Sequence, residues 1–141
     1  MLLIEHQVEK AGIRLQLDLE EPLPPVKASV GKLQQVFLNL FLNARDAMES
    51  GGILEIRSRG DGQMVRVEIH DTGHGIPAEN LPRIFDPFFT TKAGRKGTGL
   101  GLSVTYGIVR EHGGVIEVES QPDQGTRVRL EFPVARKVAH A

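Results

Sequence analysis

The chain contains no cysteine. Disulfides, thiolate zinc sites and a cysteine nucleophile are therefore excluded from the outset, and the composition fits a cytoplasmic setting. A one-sided charge is also missing. Lys and Arg number 17 against 18 Asp and Glu, a formal net charge of −1, so no global field draws the chain to nucleic acid or to an anionic membrane. No apolar run approaches the length of a membrane-spanning helix, and the first residues lack the basic-then-apolar shape of a signal peptide. Any membrane attachment is expected in sequence outside this stretch. There is no internal repeat and no low-complexity tract. What remains is an ordinary globular composition over 141 residues, enough for one domain with a buried core.

Residues 1–11 form a mixed stretch that could complete a helix begun elsewhere. Ile13, Leu15, Leu17 and Leu19 alternate with polar residues, which predicts a half-buried strand, and Pro22, Pro24 and Pro25 end it. Ser29 is a credible N-cap, with Lys32 where a capping box would hold Glu. Leu33, Val36, Leu40, Ala44 and Ala47 then form one helical stripe running to about Ser50, and Gly51-Gly52 stops it. Strands are expected over 53–59 and 65–71, joined at Gly60-Asp61-Gly62. A second helix spans 102–112, where His112 would set a cation against the helix dipole. A hairpin over 115–120 and 126–132 follows, and the basic tail at 135–141 is expected to fray. Residues 72–100, rich in glycine, proline and phenylalanine, show no sustained period. So long an irregular stretch inside a compact domain predicts a functional lid.

Chemistry enters through three motifs. Gly97-Thr98-Gly99-Leu100-Gly101-Leu102 lets the backbone approach a ligand closely and leads into a helix whose free N–H groups attract anions. Alone it reads as a flexible loop. It is neither a Walker A loop nor a Rossmann fingerprint. Lys92, Arg95 and Lys96 put cations where a triphosphate would lie, or simply form a solvated basic loop. Asp71 ends an apolar strand and is followed by Gly73 and Gly75. A carboxylate there can accept a hydrogen bond from the amine of adenine and would repel the carbonyl of guanine; its bland alternative is an Asx-turn. Asn39, Asn43 and Asp46 form one polar line beside the apolar stripe. A mid-helix amide needs a partner, which could be neighbouring backbone, or for Asn43 a Mg²⁺ that takes its carbonyl oxygen. Phe85, Phe88 and Phe89 are either core or a lid anchor and docking surface. His70 and His74 lack the glutamate of a metalloprotease pair, which argues against zinc.

Taken in order, these segments resemble the catalytic, ATP-binding domain of sensor histidine kinases, closest in wording to the nitrogen-regulator type. Residues 35–48 are similar to the N box, Asp71-Thr72-Gly73-His74-Gly75-Ile76 to the G1 box, residues 85–92 to the F box and residues 97–102 to the G2 box. Gly113-Gly114-x-Ile116 and Gly125-Thr126 also fit. The resemblance covers nearly the whole chain. It implies a two-layer α/β sandwich, the Bergerat fold, with a mixed sheet, helices on one face and a mobile ATP lid. It further implies ATP and Mg²⁺ as cofactors. Asn43 would hold the metal and Asn39 would face the phosphates. Asp71 would read the adenine amine, with Gly73, Gly75, Ile76 and Thr126 about the base. Residues Gly97 to Leu102 would cradle the phosphates, and Lys92 would be a lid cation.

Two departures from the family pattern matter. Asp46 stands where many members carry a cation three residues after the magnesium asparagine, and Arg45 points elsewhere on the helix. The phosphoacceptor segment, a His followed by Asp or Glu and a later Pro, is absent. The implied partners are therefore a separate helical dimerisation domain bearing that histidine and, indirectly, a response-regulator receiver domain; this stretch alone is expected to be monomeric. ATP-hydrolysing relatives place Glu where Asn39 stands, so weak ATPase activity is expected. Two rival functions remain: an aspartic protease, from Asp71-Thr72-Gly73, and an anti-sigma-type serine kinase. The protease would need a largely β chain.

Overall fold

Two parallel strands cannot be joined by a tight turn, and the first two strands of this chain are parallel. In the computed structural model, which describes residues 10, 12–20, 26, 28–86 and 101–134, β1 (Ile13–Leu19) pairs with β2 (Gly52–Gly60), and helix α1 (Val30–Ala47) carries the crossover. β2 turns back into β3 (Met64–Asp71), where the Asp61 carboxylate accepts the Gln63 and Met64 N–H groups, both at 2.7 Å. A 3₁₀ turn (Leu81–Arg83), helix α2 (Gly101–Glu111) and the hairpin of β4 (Val115–Ser120) and β5 (Thr126–Pro133) complete the described elements. The sheet order is β1-β2-β3-β5-β4, mixed, with β5 inserted beside β3. This is the expected α/β architecture.

One face of the sheet packs on the helices. Leu54, Ile69 and Leu130 from the strands meet Val36, Leu40, Phe41 and Ala44 of α1 and Ile108 and Val109 of α2. Each of these Val, Leu, Ile and Phe side chains, fully buried, contributes about 1.5–3 kcal/mol. The opposite face carries charged rows, one of them alternating in sign throughout. Glu117, Arg129, Glu68, Arg57 and Asp18 are successive register partners across all the strands. Within that row Arg57 lies 3.4 Å from Asp18 and Arg129 3.9 Å from Glu68. A face of this kind stays solvated, as an antiparallel region with one covered side requires.

Three expectations need correction. α1 ends at Ala47, before Ser50, because Met48 already breaks helical geometry and a turn runs on to Gly51, whose φ of +89° suits glycine. Leu17 and Leu19 are 46% and 47% exposed, since β1 is an edge strand and the core reaches only its Ile13 and Leu15. His112 is not a dipole-stabilising cation. Its Nδ1 faces the Ile108 carbonyl at 2.8 Å, and its Nε2 accepts the Ser29 N–H at 3.1 Å. One ring nitrogen must donate and the other accept, which only the neutral ring can do. The expected helix at residues 1–11, the prolines at 22–25 and the tail at 135–141 lie outside the described residues, Lys10 apart.

His112 thus ties the carboxyl end of α2 to the residue that caps α1, where Ser29 Oγ accepts the Lys32 N–H at 3.3 Å and Lys32 pairs with Glu111 at 3.0 Å. His112→Ala is expected to lower the free energy of unfolding by about 1 kcal/mol, read by urea titration; an unchanged midpoint would show that the clamp contributes nothing.

Candidate nucleotide site

Asp71 is the last residue of β3, and its register partners are Leu54 on β2 and Thr126, the first residue of β5. It points to the helix side and is 6% exposed. Its Oδ1 accepts the Gly73 N–H at 2.9 Å, and the Thr126 N–H also donates to the carboxylate. Burial raises the Asp71 pKa above its ordinary value, and those two N–H groups only partly oppose the rise. A carboxylate held this way is an acceptor seeking a further donor.

The loop after Asp71 is pinned on two sides. Toward α1, the His74 N–H donates to the Ala47 carbonyl at 3.0 Å, and a Cβ on Gly73 would fall 2.5 Å from that same oxygen. Toward the β4–β5 turn, Asp123 N–H donates to the His74 carbonyl at 2.7 Å, and Ile76 N–H donates to Ser120 Oγ at 2.7 Å. Gly75, with φ +75°, has no room for a side chain, because a Cβ would lie 2.0 Å from the Gln121 carbonyl. Gly73 and Gly75 are thus required by close backbone packing, whatever they line. The Asx-turn alternative for Asp71 is also realised, through Gly73.

α1 and α2 run antiparallel. Ser29 meets His112, Lys32 meets Glu111, and Asn39 Nδ2 donates to the buried Thr105 hydroxyl at 3.4 Å. Asn43 lies one turn further on the same face as Asn39, level with the amino end of α2 at Gly101 and Leu102. Leu102 packs against the core. The carboxyl end of α1, the amino end of α2 and the end of β3 therefore meet at one end of the domain. Arg45 and Asp46 pair with each other at 3.5 Å. Phe85 is half-buried, with its ring 5.0 Å from that of Tyr106, so of the two readings it serves as packing. His70 faces the charged side between Glu55 and Arg127 in register, whereas the His74 Nδ1 faces the Gly75 carbonyl at 2.7 Å. Lys92, Arg95, Lys96, Gly97, Thr98, Gly99, Leu100, Phe88 and Phe89 lie outside the described residues, as does the whole of the expected lid from residue 87 to residue 100. Ser120, Thr105 and Ala47 join this end of the domain without having stood out in the sequence. Ser120 alone carried a signal, being polar where the period of β4 points inward.

The residues suit an adenine nucleotide with a divalent ion: a desolvated carboxylate for an amine, a helix start for phosphate, and an amide oxygen for a hard cation. The mixed sheet also removes the largely β chain that an aspartic protease would need.

Comparisons with known proteins agree with this fold. The family described as histidine kinase-, DNA gyrase B-, and HSP90-like ATPase matches residues 29–136. Sensor kinase CckA of Brucella abortus is 43% identical over 136 residues, covering 86% of this chain and 14% of that protein. Sensor histidine kinase ZraS of Escherichia coli is 40% identical over 132 residues, covering 94% of this chain and 28% of that protein. The chain thus spans well under a third of these relatives. Among solved structures, the catalytic domain of histidine kinase ThkA matches with a TM-score of 0.83 at 35% identity, over 96% of this chain and 89% of that one. Full-length ShkA in complex with AMPPNP matches at 0.78 and 32%, over 96% of this chain and 29% of that one. ThkA in complex with the response regulator TrrA also matches at 0.78 and 32%, over 95% and 38%.

A raised Asp71 pKa has a definite sign for stability. Below the unfolded-state value the side chain is neutral in both states and costs nothing. As pH rises through the folded value the buried charge destabilises the ligand-free fold, and above it the penalty is complete. Asp71→Asn should therefore leave the ligand-free domain as stable as wild type or more so at pH 7, with any gain shrinking on acidification. A large drop in the urea midpoint at pH 7 would contradict this account.

Proposed function

The chain belongs to the family of histidine kinase-, DNA gyrase B- and HSP90-like ATPases and has the fold of histidine kinase catalytic domains; from that premise we propose that it carries out ATP-dependent phosphoryl transfer for a two-component sensor histidine kinase. The acceptor is a histidine on a helical dimerisation domain outside this sequence. The observation that carries the reading is the meeting at one end of the sheet of a desolvated carboxylate, the Asn39–Asn43 face of α1 and the start of α2. Support for the nucleotide and for the partner class comes from the AMPPNP complex of ShkA and the response-regulator complex of ThkA.

On this reading Asp71 accepts from the adenine amine, with Gly73, Gly75, Ile76 and Thr126 around the base. A purine with a carbonyl in that position leaves the buried acceptor unpaired. The amino end of α2, with Gly97 to Leu102 leading into it, holds the phosphates. Asn43 would hold Mg²⁺ through its carbonyl oxygen, and Lys92 would add a lid cation. The bound metal supplies neutralisation of phosphate charge. Asn39, already donating to Thr105, is an amide without useful basicity, so water near it is not activated and the phosphoryl group is kept for the imidazole. A kinase of this kind works in the cytoplasm, where ATP is available, and passes the phosphoryl group on to a receiver domain.

The direct test mixes this domain with a separately produced helical histidine domain and γ-labelled ATP. Acid-labile, base-stable label on that domain is expected, and Asn43→Ala should abolish it together with the magnesium dependence of nucleotide binding. Label on serine, or none, would refute the kinase assignment. Asp71→Asn should weaken ATP binding about a hundredfold, and wild-type affinity should fall on acidification as Asp71 takes up a proton at its raised pKa. Calorimetry across pH reads both; a flat profile would remove Asp71 from base recognition.

A further inference from the structure

β4 lies at one end of the sheet, and among the described residues β5 is its only pairing partner. Along its other edge, backbone N–H and C=O groups of Val115–Ser120 therefore face outward without a ladder. Nothing in the strand blocks an incoming segment. It contains no proline, and its register with β5 runs unbroken from Val115–Glu131 to Ser120–Thr126, so no bulge twists the edge away. Its two faces differ. Val115, Glu117 and Glu119 are exposed on the outer face, whereas on the helix side Ile116 is buried and Val118 half-buried. Among the described residues neither acid is ion-paired. Arg129, the register partner of Glu117, turns instead to Glu68 at 3.9 Å, and Arg127 stands opposite Glu119 without pairing to it. At the other end of the sheet the acids are engaged. Asp18 on β1 holds Arg59 at 2.8 Å and Arg57 at 3.4 Å, and Glu20 accepts the Gly60 N–H at 2.9 Å.

We infer that β4 is a docking edge for an extended segment of another protein chain, one that alternates cationic and apolar residues. Pairing lengthens the sheet by one strand; the backbone ladder supplies affinity and the side chains supply the choice of partner. A strand added at the usual spacing of about 4.8 Å sets its outer-face side chains across from Glu117 and Glu119. Lysine or arginine at those places meets two acids that no ion pair satisfies. The segment's helix-side residues continue the row of Ile116 and Val118, where an apolar side chain covers the exposed part of Val118. A second copy of this chain is a poor occupant. Pairing β4 with β4 sets the acids of one copy beside those of the other on the same face, which is unfavourable. The two glutamates thus discourage self-association while leaving the edge open to a basic strand. The inference does not depend on the nucleotide reading, in which neither glutamate takes part.

Three synthetic peptides probe the edge: Thr-Lys-Val-Lys-Val-Thr, its counterpart with glutamate for lysine, and the lysine peptide N-methylated at alternate amides. Each is titrated into the domain and followed through the backbone amide NMR signals. The lysine peptide should shift the signals of Val115–Ser120 and bind about tenfold more tightly than the glutamate peptide. N-methylation should abolish binding, because it removes the donors of the ladder. In the double variant Glu117→Lys, Glu119→Lys the preference should reverse, with ATP affinity unchanged. No binding of the lysine peptide at millimolar concentration overturns the inference. So do shifts that map away from β4, or a methylated peptide that binds as well, which would mean charge attraction alone. Should the lysine variant fail to fold, Glu117→Gln with Glu119→Gln must erase the preference, and a preference that survives there is equally decisive against the edge. None of these failures touches the kinase assignment, which is tested by phosphoryl transfer.

Discussion

A carboxylate removed from water at the end of a central strand destabilises a fold unless donors replace its lost hydration. Asp71 is in that position, and the backbone around it is arranged to supply them. The Gly73 N–H and the Thr126 N–H both reach it. For those donors to be there, the loop must fold back against α1 and the β4–β5 turn must close over β3. Each closure brings backbone against backbone. A Cβ on Gly125 would sit 2.0 Å from the Asp71 carbonyl, just as one on Gly75 would strike Gln121. The glycines of this end of the domain are therefore explained first by how tightly three segments converge on one acid.

The remainder of the structure holds that end open to chemistry by fixing the other. His112, Ser29, Lys32 and Glu111 clamp the far ends of the two helices, and the shared apolar core keeps their antiparallel register. With that register set, Asn39 lies against Thr105 and Asn43 comes level with the start of α2. A polar line on one helix and an anion-attracting helix start on the other are thus aligned by contacts well away from either. The charged outer face of the sheet takes no part in the site. Its charged rows leave it solvated and direct apolar burial to the helix side.

Periodicity in the chain was enough to read the elements. The alternation of Val65, Val67 and Ile69, the stripe of Val36, Leu40 and Ala44, and the turns at Gly60-Asp61-Gly62 and Gly125 all act over a few residues, and local physics decides them. The same holds for Asp71 as a strand-end acid and for Ser29 as a cap. The reading erred where the deciding partner is remote. Leu17 and Leu19 alternate as a buried strand should, yet whether a layer covers them depends on where α1 crosses the sheet. His112 was assigned by its place at a helix end, but its charge state is set by Ser29, 83 residues away in the chain.

Which segments exist, and which residues could bind a purine, a phosphate or a metal, followed from residue type and spacing along the chain, because hydrogen-bonding capacity and side-chain period are properties of neighbours. Whether Asp71 would be desolvated, and which residue of α2 Asn39 would meet, were decided by the pairing of β3 with β5 and of α1 with α2. Burial and proton direction arise from contacts between distant segments, and a linear string carries no record of those distances.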